Sequence, residues 1–365
     1  MNVQASLITL LNYEFWQTGD SSKLDEAISI STSMEERLSA RAEAGPLAHC
    51  MHDLSVLFSD KYVHTGDMKS LERAVEKGRE AAKMWPSGSP DGYRHLNSLA
   101  HLLSRRFQRT RDLSDIQETL DLLQDALEMT FSNVAIHAQM MQAMSRCLSI
   151  KFDSTGALAD STEAIRLSRE VVKATPFKHI DRASRLSNLG SYLLNRYTRS
   201  RSISDIEEAV QVSRQAVEAI PLDSVHRPLL LSNLGNCINT LYLHSGKIED
   251  LEVSIVTQQS AVDAAPAGLE ERGNFLFKLG MSIGQKYLRD GRSETAQEAI
   301  SIAKQAINET PSDHPSQATY LHTLASILQA RYSNRISVTK TDNMPREGCS
   351  NELEEALADP VQDII

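Results

Sequence analysis

His49 and His52 stand three residues apart, a spacing that puts both imidazoles on one face of a helix. Among the chain's eleven histidines they come nearest to a metal-ligand or proton-transfer pair. A zinc site would need further ligands at set spacings, an HExxH run or a Cys/His cluster, and neither follows. We therefore expect solvent-facing or groove histidines. The chain has no G-x-x-x-x-G-K-[ST] loop to cradle phosphates, and no serine sits in a G-x-S-x-G turn. The expectation is a chain that is not an enzyme and that needs no metal or cofactor.

A ladder of cations suggests another kind of chemistry. Lys61, Arg106, Lys151, Arg196, Lys286 and Arg331 each directly precede an aromatic residue, with Leu241 as the gap. Two readings are open. Cations are favoured near a helix C-terminus by its dipole, and could also pair with acids of the next helix. Alternatively they form a basic rail for an acidic partner. The ladder is periodic because the aromatics are: Phe15, Tyr62, Phe107, Phe152, Tyr197, Tyr242, Tyr287 and Tyr332. The first interval is 47 residues and each of the six after it is 45, and a period of that size signals stacked supersecondary units.

Composition narrows the class. A chain of 365 residues would suggest two or three domains, but repeats grow along one axis without a central core. The net charge of −10 argues against a nucleic-acid partner, which needs a clustered basic excess. No long apolar run is present, so no membrane span is expected. The start, Met1-Asn2-Val3, lacks the basic region of a secretory signal. Cys50, Cys147, Cys237 and Cys349 show no paired spacing, and Cys147 and Cys237 fall two repeats apart, too far to bridge. Reduced thiols in a cytoplasmic protein are expected.

Each unit contains two helical patterns. In the first, apolar residues fall eleven, eight and four positions before the aromatic, as in Leu186, Leu189 and Leu193 before Tyr197, which keeps one apolar stripe on one face. A small residue follows the central leucine at Gly190, Gly235 and Gly280, so that a neighbouring helix can approach. Four residues after the aromatic stand Gly19, Gly66, Gly156, Gly246 and Gly291, suited to a left-handed helix end. Arg111 and Arg201 occupy the same place, where a left-handed backbone would cost each about 1 kcal/mol; a different turn is expected there. The second helix opens with capping boxes, Ser204-Asp205-Ile206-Glu207 and Ser114-Asp115-Ile116-Gln117. It continues through paired alanines such as Ala209 and Ala216, and stops before Pro86, Pro176, Pro221, Pro266 or Pro311. The last unit is irregular: a polar segment, 336–350, reads as an inserted loop, and 351–365 as a partial second helix.

Leu189-Gly190, Leu193, Ala209, Ala216 and Pro221 together resemble the tetratricopeptide (TPR) pattern, lengthened from its usual ~34 residues. The resemblance covers 4–335. It implies an all-α, TPR-like α-solenoid, a right-handed superhelix of about seven and a half helix-turn-helix repeats; HEAT-type repeats are the alternative fold. The Asn-Leu-Gly, Thr-Gly-Asp and Glu-Ala-Ile elements are similar to those of long arrays preceding CHAT-type (caspase-like) domains.

If that geometry holds, first helices line a concave groove, with the positions nine, six and three before each aromatic facing inward. These read Asn188, Ser191 and Leu194 in one repeat and Asn233, Asn236 and Asn239 in the next. Arg146 and Lys278 flank them, with His101 further back. Asparagine amides both donate and accept, which suits an extended peptide backbone; a solvated polar wall is the plainer reading. Of the clamp that holds a terminal carboxylate in chaperone-binding relatives, only Asn233 followed by Lys278 matches, because Ser187 and Ser191 replace the first pair. The function implied is a protein-interaction scaffold for a protein or peptide partner. A second reading is a regulatory or sensor fragment of a CHAT-type protease whose catalytic domain is absent from this chain. A third is self-association through the C-terminal end, where no polar closing helix is legible.

Overall fold

The computed structural model describes residues 2–342 apart from 42, 85–91, 131–132, 270, 312–313 and 315. Among these the chain forms fifteen α-helices and no strand. It divides into two compact units, Met1–Thr175 and Pro176–Ile365. The first holds α1 (Asn2–Thr18), α2 (Ser21–Ala40), α3 (Ala44–Thr65), α4 (Met68–Met84), α5 (Gly92–Thr110), α6 (Leu113–Thr130), α7 (Val134–Thr155) and α8 (Leu158–Ala174). The second holds α9 (Arg182–Ser200), α10 (Ile203–Ala219), α11 (Arg227–Ser245), α12 (Ile248–Ala264), α13 (Arg272–Asp290), α14 (Ser293–Asn308) and α15 (Gln317–Asp342). Odd-numbered helices are the first helices of hairpins and even-numbered ones the second.

The hairpins close because each sequence stripe finds its complement. Leu186, Leu189, Leu193 and Tyr197 of α9 are all buried, as are Leu276, Leu279, Ile283 and Tyr287 of α13. Against them the second helices present side chains short enough for the backbones to approach: Ala74, Ala164, Ala209 and Ala299 have no exposed surface, and Ala81, Ala126, Ala216, Ala261 and Ala306 almost none. Prolines end the second helices as read. Thr175, Ile220 and Ala265, each the residue before a proline, have left the helix for extended backbone.

The first helices from α1 to α13 end in one shared way. The amide four residues after the aromatic donates to the carbonyl of that aromatic: Gly66 to Tyr62 at 2.7 Å, Gly156 to Phe152 at 2.7 Å, Gly246 to Tyr242 at 2.7 Å. The donor is left-handed in every case. Arg111 and Arg201 keep this geometry, with φ of 59° and 56°, and do not adopt the different turn expected of them. Their guanidinium groups fold back over the aromatic that each amide caps, 5.8 Å from the Phe107 ring and 5.6 Å from the Tyr197 ring. A cation–π contact of about 0.5–1 kcal/mol offsets much of the backbone cost.

Two further expectations need correction. The capping boxes do not form at Ser204 or Ser114. α10 begins two residues earlier, at Ile203 with Ser202 as its cap residue, and the amide of Ser114 donates to the Asp112 carboxylate at 3.0 Å. The supposed loop at 336–350 is helical in its first part, since α15 runs on to Asp342. Pro86, Cys349 and the partial second helix at 351–365 lie outside the described residues.

Candidate functional site

The cation ladder serves the hairpins themselves. Arg196 Nε donates to Asp205 Oδ2 at 2.8 Å and its Nη2 to Oδ1 at 2.6 Å, a fork on a buried carboxylate. Arg106 holds the buried Asp115 in the same way, and Lys151 lies 3.4 Å from Asp160. Each pair is nine residues apart and ties a first helix to the start of its own second helix. In the first hairpin the same spacing carries reversed charges, Glu14 and Lys23 at 3.7 Å. Lys61 reaches instead to Asp25 on α2, at 2.7 Å. Four of the six rungs are therefore neutralised internally, and the basic-rail reading fails for them.

In the C-terminal unit, adjacent first helices meet side by side, joined by polar side chains. Asn233 Nδ2 on α11 donates to Ser187 Oγ on α9 at 3.2 Å, and one hairpin later Lys278 Nζ on α13 donates to Ser232 Oγ on α11 at 3.1 Å. These bonds bring Asn188, Asn233 and Lys278, which share one register, into a row across three helices. All three are half-buried, as is Asn236 one turn along. Burial pulls the Lys278 ammonium below its usual pKa. Asn239 does not belong to this surface. It is 7 % exposed, and its Oδ1 has no partner among the described residues. Ser149 and Gly284, at the equivalent place in other repeats, are buried too, while Ser59, Ser104 and Leu194 are half-buried there, so that position is closed in some repeats and open in others.

In the N-terminal unit the corresponding surface is charged. Arg146 Nη2 on α7 donates to His101 Nε2 on α5 at 3.3 Å. Partial burial, then the Arg146 and Arg105 guanidiniums, push the His101 pKa down to about 4, which fixes it as a neutral acceptor. Beside it, Ser59 and Val56 of α3 with Ser98, Leu102 and Arg105 of α5 enclose a pocket of about 170 Å³. Arg105 was not singled out by sequence, because it stands outside the three rows expected to face the groove.

His49 and His52 are neither free nor metal-like. Both rings pack edge-on against the buried His95, with centroids 5.8 Å and 4.3 Å away. Burial, then the His49 charge, lowers the His52 pKa. Among the described residues no three His, Cys, Asp or Glu side chains converge as metal ligands would. Cys50, Cys147 and Cys237 are free and buried. Burial pushes the Cys50 and Cys237 thiols up to about 11, and the Cys50 Sγ donates to Ser31 O at 3.2 Å. These are packing groups, not nucleophiles. Among the described residues no helix is long and apolar enough to cross a membrane.

Comparison with known proteins supports the tetratricopeptide-like reading of the repeats. A tetratricopeptide-repeat model matches residues 182–223, which span α9, α10 and the turn after them. No curated protein matches the chain. Among solved structures, the apo form of the quorum sensor NprR from B. thuringiensis matches over 98% of this chain and 87% of its own, with 11% identity and a TM-score of 0.50. The C-terminal part of a TPR repeat-containing protein from Cytophaga hutchinsonii matches over 86% of this chain and 99% of its own, with 9% identity and a TM-score of 0.48. The fold is an all-α array of TPR-like helical hairpins.

Proposed function

We propose that this chain is a non-enzymatic interaction scaffold that holds an extended peptide segment along the faces where its first helices meet. The observation that carries this reading is the half-buried row Asn188, Asn233, Asn236 and Lys278 in the C-terminal unit. Amides in register across adjacent helices offer donors and acceptors at a regular spacing, which is what a peptide backbone requires. No nucleophile with an activated pKa and no metal-ligand cluster among the described residues competes with this reading.

The test is an array of immobilised peptides probed with the full chain. Asn188→Ala, Asn233→Ala and Asn236→Ala, combined, should abolish capture of every peptide the native chain binds. Folding should survive, because alanine favours helix over asparagine by about 0.5 kcal/mol per site. Alanine at the exposed second-helix positions Glu207, Gln211 and Gln215 should leave capture intact. Equal capture by both variants would reject the assignment.

A further inference from the structure

The geometry points to the pocket between α3 and α5 as a binding site for a carboxylate of the peptide partner. This inference rests on the scaffold reading and gives that partner a chemical character.

The first observation is where the arginines of the chain spend their charge. Arg79 is bound to Glu118, Arg106 to Asp115, Arg166 to Glu163 and Glu170, Arg196 to Asp205, and Arg272 to Glu309. Arg105 and Arg146 have no carboxylate at ion-pair distance among the described residues. Arg146 spends one N–H on a neutral imidazole, and Arg105 lines an open pocket. Other arginines that lack a carboxylate are turned onto a ring or a backbone carbonyl, as Arg73 is over Phe58, Arg227 on Val217 O and Arg289 on Gly246 O, whereas the Arg105 guanidinium lines an open pocket.

The second observation is the company they keep. Ser59 and Ser98 bring hydroxyls to the pocket, and Leu102 and Val56 give it an apolar wall. His101, its Nε2 occupied by Arg146, retains its Nδ1–H as a donor. A guanidinium fork, hydroxyls and an imidazole N–H are all donors, and together they match the lone pairs of a carboxylate. The Arg105 charge also reaches Asp60, but that carboxyl is raised by burial and already held by the Asn12 amide at 3.1 Å. The cavity of about 170 Å³ is several times what one water needs, and admits a short acidic side chain.

The experiment is a titration of the isotope-labelled full chain, following the side-chain resonances of His101, Arg105 and Arg146. Three probes are used: N-acetylglutamate amide, with only a side-chain carboxylate; N-acetylglutamine amide, its neutral counterpart; and N-acetylalanine, with only a terminal carboxylate. The glutamate probe should shift all three residues saturably, and the glutamine probe should not. Arg105→Gln with Arg146→Gln should weaken the effect at least about tenfold while the melting temperature stays near that of the native chain. Stronger binding of N-acetylalanine would place the recognised carboxylate at the peptide's end instead of on a side chain. Equal shifts from the neutral probe, or an unaffected double variant, would overturn the proposal. Array peptides that bind without regard to acidic residues would sink the pocket and spare the scaffold. A bound glutamate probe with an empty array would do the reverse.

Discussion

Replacing Gly190 by alanine should destabilise the chain even though alanine is the better helix former, and a second substitution should rescue it. An ideal Cβ at Gly190 would sit 2.6 Å from Ser213 Oγ on α10, 3.4 Å from Val212 Cγ2 and 3.5 Å from Ala209 O. The last two are close but bearable; the first is not. Ser213 is buried and cannot swing into solvent. Overpacking of this kind costs about 1–3 kcal/mol, against which alanine regains about 1 kcal/mol of helix propensity. The single variant should therefore lose about 1 kcal/mol. Ser213→Ala removes the offending oxygen and gives up only a weak contact with Cys237 Sγ at 3.7 Å. The double variant should return to within about 0.5 kcal/mol of the native chain, a coupling of about 1 kcal/mol. Urea unfolding followed by far-ultraviolet circular dichroism measures all four proteins. Stabilisation by Gly190→Ala alone, as at an open helical surface, would refute the close approach of α9 and α10. Strict additivity of the two changes would refute it as well.

Arg196→Met should cost about 3 kcal/mol, because it strands the buried Asp205 carboxylate, whereas Arg196→Met with Asp205→Leu should recover most of the loss in the same unfolding assay. Gly246→Ala should cost about 1 kcal/mol at its left-handed φ of 70°. Arg201→Gly should change stability by less than about 0.5 kcal/mol, since it relieves the backbone but forfeits the contact with the Tyr197 ring. The Cys50 and Cys237 thiols, pushed up to about 11, stay protonated in the fold while unfolded thiols ionise above about 8.5. Their folded pKa is the higher one, so their contribution to stability is complete below about 8.5 and is lost as pH rises towards 11. Thiol labelling at neutral pH should accordingly leave both unmodified until urea is added.

The repeat, its helix ends and its alanine faces were readable because periodicity and special backbone conformations leave marks on residue type. Gly66, Gly156 and Pro221 are such marks. Arg111 and Arg201 were misread because a rule for one residue's backbone omits the ring four positions earlier that offsets the strain. The nine-residue ion pairs were visible in principle. Glu14 with Lys23 repeats the spacing of Arg196 with Asp205 in opposite sign, and such compensation signals a contact. Asn239 is buried although Ser59 and Leu194, at the same place in other repeats, are half-buried, and how far a helix is turned in each repeat is not written in residue type. Arg105 was overlooked for the opposite reason. Its importance lies in lining a pocket with His101, Ser59 and Ser98, which only neighbours in space reveal. The division at Thr175 and Pro176 carried no signal either, since Pro176 looks like every other hairpin stop.

The central claim, that the meeting faces of the first helices are where this chain engages its partner, is tested most directly by amide hydrogen exchange of the full chain with and without a captured array peptide. Slowed exchange should appear on α9, α11 and α13, with α10, α12 and α14 unchanged. Protection confined to the second helices, or none on any first helix, would contradict it.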